Sequence, residues 1–354
     1  MLSTHNYKRY AGSGNAGNST NSNSTNSNST STNSVSTAGN SSGASVDTAE
    51  SAPALVSLTT PVCVDSRTTH FARSSTPTPD KLRGKIKLVA SDLDGTLLTD
   101  ASCISPRTAQ TICRLAKNGI DFTIATGRIL SRLPLNLCRE TDLHYAVLAN
   151  GAETWDLKRN ICLSTLPLSG ATVTAVLRVL AAFPLYFEVY FAGEAYTDNA
   201  RRQFYRDSLY SPAKLIDMRR SRHTVPDLFE FVAARKISKV VMPQATPELL
   251  AELDRKCAPI KDLIITNSAF GNREYNAGNC TKVAGIKALV EYLHLQLDEV
   301  LVFGDAGNDL PMFATFPHSV AMANATPNIA AKAAYRTGNN NADGVAEFCE
   351  TYLL

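Results

Sequence analysis

The residues with the clearest chemical potential in this chain form one short run, Asp92-Leu93-Asp94-Gly95-Thr96. The residues before it, Ile86, Leu88, Val89 and Ala90, make an apolar run with β-branched members. Such a run, closed by a Gly-Thr turn, predicts a buried strand of a parallel sheet. Residues two apart on a strand project the same way, so the two aspartates emerge together where the strand ends. Paired carboxylates at a strand end suit a hard divalent cation, which prefers oxygen ligands. They also suit a nucleophile and an acid/base partner, because neighbouring like charges push two pKa values apart. Alone, the run could equally be an acidic turn. Gly95 permits a sharp exit from the strand.

Three further stretches follow in order: Thr126-Gly127-Arg128, the solitary Lys282, and Gly304-Asp305-Ala306-Gly307-Asn308-Asp309. Each lies where an element begins or ends. Ser105-Pro106 starts a helix with a capping hydroxyl and a proline in the first turn, and Gly119 closes it. Ile120–Ala125 and Tyr145–Ala149 read as strands, the second ending in Asn150-Gly151-Ala152. Lys282 opens a helix over Val283–Leu293, and Glu299–Phe303 reads as the strand before Asp305. His318–Met322 is a further strand, and Val345–Leu353 the last helix. Strands alternating with helices imply parallel pairing through crossovers. In such sheets the site lies beyond the carboxyl ends of the strands.

The four stretches together are what phosphoryl transfer to a carboxylate requires. An ionised Asp attacks phosphorus, and a cation held by carboxylates offsets the charge. An ammonium and small donors stabilise the developing oxyanion. A second Asp protonates the leaving oxygen and then takes a proton from water. Read singly, Lys282 would be a solvated lysine, Thr126 a cap, Asp309 the N-cap of a helix beginning at Leu310, Arg128 a structural pairing residue and Asn150 a turn former.

These motifs, together with Asn150-Gly151-Ala152, Val320-Ala-Met-Ala-Asn324-Ala and Asp343-Gly344-Val345, resemble the haloacid dehalogenase superfamily and its Cof-type, sugar-phosphatase-like branch. The resemblance covers residues 85–354. It implies a Rossmann-like α/β parallel sheet with an inserted α/β cap, and hydrolysis of small phosphorylated metabolites, sugar phosphates or phosphorylated cofactors. It implies Asp92 as nucleophile and Mg²⁺ ligand, and Asp94 as general acid/base with its carbonyl on the metal. Thr126, Gly127, Lys282 and Asn308 would hold the phosphoryl group. Asp305 would complete the metal ligands, and Asp309 would orient Lys282 or a metal-bound water. A phosphomutase of the same superfamily and a non-catalytic binding relative are the alternatives.

The domain organisation follows. Residues 11–50 hold 26 Ser, Thr or Asn, and no Lys or Arg lies between Ala11 and Ser66. Such a segment cannot bury enough apolar surface to fold, so residues 1–80 are expected to be a disordered tail. The catalytic core is expected over 81–152 and 278–354. Residues 153–277, where alternation gives way to a mixed pattern, are expected to form the cap. Its stretch Arg201–Arg222 is basic and fits no element.

A net charge of +3 with no basic aromatic stripe gives no support for nucleic-acid binding. Eight scattered cysteines without a Cys-x-x-Cys pair suggest neither zinc nor disulfides, and read as reduced residues of a cytoplasmic protein. Met1–Tyr10 lacks the apolar segment of a secretory signal, and the apolar stretch 173–192 is broken by Arg178, Pro184 and Glu188, so no membrane span is expected.

Overall fold

The computed structural model describes residues 82–205, 221–267 and 271–354. The expected tail, and residues 206–220 of the unplaced basic stretch, lie outside the described residues.

In chain order the strands are β1 (Leu88–Ser91), β2 (Asp121–Ala125), β3 (Tyr145–Leu148), β4 (Glu153–Asp156), β5 (Ile161–Thr165), β6 (Glu188–Phe191) and β7 (Glu194–Asp198). They continue as β8 (Arg222–Val225), β9 (Lys239–Met242), β10 (Leu263–Thr266), β11 (Arg273–Ala277), β12 (Val300–Gly304), β13 (His318–Ala321) and β14 (Tyr335–Arg336). The large sheet has the order β14-β13-β12-β1-β2-β3-β4-β5. It is parallel from β14 to β3. The pair β1–β12 lies at the centre of this parallel part, with Leu88 against Val300.

Every residue of β1 and β12 is buried, as a parallel strand covered on both faces requires. Alternate side chains divide the core. Val89, Ile124, Leu301 and Phe303 pack in one cluster with Ile112 and Leu115 of the helix Pro106–Lys117 and Phe348 of the helix Gly344–Tyr352. Leu88, Ala90, Val300 and Val302 pack in another with Ile286 and Leu289 of the helix Lys282–Tyr292. The predicted capping of the first helix is present, with Ser105 Oγ accepting from Thr108 N at 3.1 Å.

The sequence pattern opens the insert at Glu153, but β4 and β5 belong to the large sheet, paired antiparallel with β3 and with each other. All four residues of β4 are buried despite their polarity, because the strand lies inside the sheet. A polar, wholly buried strand has no hydropathy signature, which is why the boundary is misplaced. The smaller sheet, β10-β11-β9-β6-β7-β8, is formed wholly from residues after Thr165 and before Gly278. It closes with β10 and β11 paired antiparallel, Leu263 against Ala277.

The small sheet has two unlike faces. Val189, Val240, Met242 and Tyr275 pack with the helices Gly170–Ala181, Leu228–Ala233 and Pro247–Cys257. On the opposite face the register places Glu188, Tyr190, Lys239, Glu274, Asn276 and Arg222. That polar face meets the large sheet's carboxyl end. Lys239 Nζ donates to Gly127 O at 2.7 Å, and Asn150 Nδ2 donates to Glu274 at 2.7 Å and to Asn276 at 3.0 Å.

Candidate active site

Asp92 is the first residue past β1. Its N–H donates to Phe303 O at 3.0 Å, which carries the β1–β12 ladder one step further and fixes the carboxylate at the sheet's edge. The chain then turns at Gly95, whose φ is +83°. A Cβ there would lie 2.6 Å from Asp305 Oδ2, so glycine is required both by backbone and by close approach. Thr96 donates to Asp305 Oδ1 at 2.7 Å, and Asn324 Nδ2 donates to Gly95 O at 2.8 Å.

Lys282 begins the helix Lys282–Tyr292, whose N-cap is Thr281, its Oγ1 accepting from Ala284 N at 3.1 Å. The turn Ala149–Gly151 is pressed against this N-cap. Gly151, with φ +98°, would place a Cβ 2.0 Å from Thr281 O. The Lys282 ammonium donates to the Asp92 carboxylate and to Asp309 Oδ1, the latter at 2.7 Å. It is buried, not the solvated lysine that its local sequence would allow. Asp309 makes no cap bond to the helix Leu310–Thr315. Its other oxygen accepts from the N–H groups of Asp305 and Ala306 at 3.0 and 3.1 Å, so one carboxylate holds both Lys282 and the loop bearing Asp305.

Thr126 is buried after β2, with its N–H on Val147 O at 2.9 Å and its Oγ1 accepting from Arg128 N at 3.1 Å. Arg128 clasps Asp94 with two bonds, Nε to Oδ2 at 2.9 Å and the terminal nitrogen to Oδ1 at 2.5 Å. The expected pairing role of Arg128 therefore falls on the second aspartate of the first motif. The Asp94 side chain is open, 55% exposed. Asn308 is exposed on the turn Gly307–Asp309.

Carboxylate oxygens of Asp92, Asp305 and Asp309 lie within 4.8 Å of one another. Burial pushes the Asp92 carboxyl well above the usual range, against the pull of Lys282 and with the push of Asp309. Burial also raises Asp305, with Asp309 adding to it and the Thr96 hydroxyl opposing it. Burial works against the Lys282 ammonium, but Asp92 and Asp309 outweigh it and hold Lys282 above the ordinary lysine range. Three crowded carboxylates facing one ammonium leave excess negative charge. An oxygen-rich donor set with that surplus fits a small divalent cation. Asp309, which the motif places outside the ligand set, is close enough to join it.

The sequence reading missed Lys239, Glu274, Asn276, Tyr190 and Arg132, all of which meet around Gly127 and Asn150. The four on strands leave one signal, polar residues alternating with Val189, Val240 and Tyr275 along strands that would otherwise read as buried, and Arg132, in the turn Leu130–Arg132, leaves none.

A family model for haloacid dehalogenase-like hydrolases matches residues 89–349. A putative phosphatase of Haemophilus influenzae is 32% identical over 267 residues, covering 75% of this chain and 97% of its own. The 5-amino-6-(5-phospho-D-ribitylamino)uracil phosphatase YcsE of Bacillus subtilis is 28% identical over 274 residues, covering 76% and 96%. Among solved structures, a haloacid dehalogenase-like hydrolase from Bacteroides thetaiotaomicron superposes with a TM-score of 0.66 at 24% identity, covering 75% of this chain and 99% of that one.

Proposed function

The chain belongs to the haloacid dehalogenase-like hydrolases and is a phosphatase of their Cof-type branch; we propose that it hydrolyses small phosphorylated metabolites, sugar phosphates or phosphorylated cofactors, in a Mg²⁺-dependent reaction through an aspartyl-phosphate. The observation that carries this reading is the buried Lys282 ammonium shared between Asp92 and Asp309, residues 190 and 27 positions away. No structural need of a strand end accounts for a buried cation held between two acids.

In this mechanism an Asp92 oxygen bonds to phosphorus as the phosphorus–oxygen ester bond breaks. Asp94 gives the departing oxygen its proton. Water then attacks the aspartyl-phosphate, Asp94 takes a proton from it, and phosphate leaves with Asp92 restored. Lys282, Thr126 and the Gly127 and Asn308 region hold the phosphoryl oxygens. Asp92 and Asp305, with the Asp94 carbonyl that the motif implies and Asp309 beside them, would hold Mg²⁺, whose charge when bound offsets that of nucleophile and phosphate. Arg128 steadies Asp94, and Asp309 keeps Lys282 aimed at Asp92.

The relative YcsE is named for a phosphomonoester of a small polyol-bearing metabolite, which supports the substrate class. Among the described residues no helix is long and apolar enough to cross a membrane. We place the reaction in the cytoplasm, where the buried thiols of Cys257, Cys280 and Cys349 stay reduced.

The test is hydrolysis of p-nitrophenyl phosphate and a panel of sugar phosphates by the full chain, with Mg²⁺ or EDTA, beside Asp92→Asn. Turnover that requires both the metal and Asp92 is the expected result. Absence of turnover on every substrate, with the protein folded and binding Mg²⁺, would overturn the reading.

A further inference from the structure

The seam between the large sheet and the polar face of the small one is lined with charge, and most of it is paired. Lys239 bonds to Glu274 at 3.0 Å as well as to Gly127 O. Arg222 grips Glu188 through Nε and, at 2.7 Å, through a terminal nitrogen, and the Tyr186 and Tyr190 hydroxyls donate to the same carboxylate at 2.8 and 2.9 Å. Arg128 holds Asp94. Glu153, also buried, accepts from Trp155 Nε1 and from the Ser238 hydroxyl.

Arg132 is different. Its side chain donates to the Tyr190 hydroxyl at 3.0 Å, and among the described residues no carboxylate pairs with it. Glu188 acts on it electrostatically but is already committed to Arg222, whose own charge opposes Arg132. The Tyr190 hydroxyl gives its proton to Glu188, so towards Arg132 it is only a lone pair, and it neutralises nothing. A half-buried guanidinium thus retains most of its fork of donors, with no carboxylate bonded to it.

Arg132 also belongs to the catalytic neighbourhood. It ends the turn Leu130–Arg132, which follows Thr126-Gly127-Arg128 directly, and its carbonyl accepts from Arg128 at 3.4 Å. Tyr190, its partner, carries Lys239 Nζ over its ring at 5.1 Å, and that ammonium touches Gly127.

We propose that Arg132 binds a second oxyanion of the substrate, a carboxylate or a second phosphate, while the scissile phosphate lies at Asp92 and Lys282. This rests on the phosphatase reading and narrows it to phosphomonoesters that carry another acidic group. A planar guanidinium takes such a group with two parallel bonds. Tyr190 holds the guanidinium from the insert side, so the subsite exists only where insert and core meet.

The test compares matched substrates on the full chain. 6-Phosphogluconate against glucose 6-phosphate reads a carboxylate, and fructose 1,6-bisphosphate against fructose 6-phosphate reads a phosphate. Wild type should favour the acidic member of at least one pair by about tenfold or more in kcat/KM, chiefly through KM. In Arg132→Gln that ratio should fall towards one, and Arg132→Lys should restore part of it. An Arg132→Gln ratio equal to wild type, or a wild-type preference for the neutral members, overturns the subsite. Calorimetry of the same pairs on Asp92→Asn, with and without Arg132→Gln, reads the subsite without turnover. Acid-selective, Arg132-dependent binding without hydrolysis of any substrate by wild type would sink the phosphatase reading and leave the subsite standing. Thermal melts of each variant report folding.

Discussion

Lys239→Met tests whether the polar seam is held by charge or by packing. The lysine side chain is 1% exposed and that of Glu274 is 7%, so water screens neither. The substitution keeps most of the apolar stem and removes the ammonium. Glu274 loses its 3.0 Å ion pair and Gly127 O loses a 2.7 Å donor, while Asn150 still donates to Glu274 at 2.7 Å. Removing one partner of a buried pair costs about 3–5 kcal/mol, because the remaining charge stays desolvated. Replacing both partners by neutral groups of similar shape is far cheaper. Lys239→Met with Glu274→Gln should therefore lie within about 2 kcal/mol of wild type, a coupling of about 2 kcal/mol or more. Urea titration followed by fluorescence is the assay. Trp155 is the only tryptophan, and its Nε1 donates at 2.8 Å to Glu153, which in turn meets Ser238 beside Lys239. A loss below about 1 kcal/mol in the single variant, or simple additivity in the double, would refute the electrostatic account.

Two further outcomes follow from the geometry. Gly95→Ala forces a φ of +83° on a residue with a side chain, at about 1–2 kcal/mol, and drives its Cβ to within 2.6 Å of Asp305. Calorimetric Mg²⁺ affinity should fall by about tenfold or more, and an unchanged affinity would contradict the placement of Asp305 in the metal site. His318 is buried beside the Tyr335 hydroxyl at 3.3 Å, and burial, with Lys85, lowers its pKa below the ordinary 6.5 against the pull of Asp298. A histidine depressed in the folded state leaves the unfolded chain binding more protons as pH falls through 6.5, so stability drops on acidification below that point. His318→Gln should flatten this part of the melting-temperature profile between pH 7.5 and pH 5; an unaltered slope would show that His318 is not its source.

The candidate site residues are legible because each is tied to a chain signal that survives without tertiary knowledge. Asp92 follows the apolar run Leu88-Val89-Ala90 and Ser91, and Lys282 follows a capping threonine. The last motif closes a strand, Val300–Gly304, that is buried on both faces. Their convergence needed only the rule that parallel strands present their carboxyl ends together. What could not be read was pairing across distance. Arg132 and Tyr190 are 58 positions apart, and Asn150 and Glu274 are 124 apart, and nothing local in either pair anticipates the contact. That the β4–β5 hairpin joins the large sheet and not the insert's is hidden for a related reason. Glu153 and Asp156 are acidic, which reads as surface, yet they are buried through a tryptophan, a serine and a turn N–H. The short strand β7 leaves little signal either, because Glu194 and Asp198 frame it with charge.

The central pairing of β1 with β12 also governs how the protein is made. Thr96 and Asp305, which share a hydrogen bond at the site, are 209 positions apart. A ribosome delivers β1 to β5 first, then the whole of the small sheet, and only afterwards the strand that completes the middle of the large one. Until Val300–Gly304 has emerged, β1 is an apolar edge with open backbone groups, the kind of surface that captures other chains. The insert, contiguous in sequence, has every strand of its own sheet in hand by Ala277. Biosynthesis therefore leaves β1 waiting for its partner across the whole of the insert, and a nascent chain stalled before Val300 would hold Asp92 on an unfinished sheet whose open edge favours aggregation.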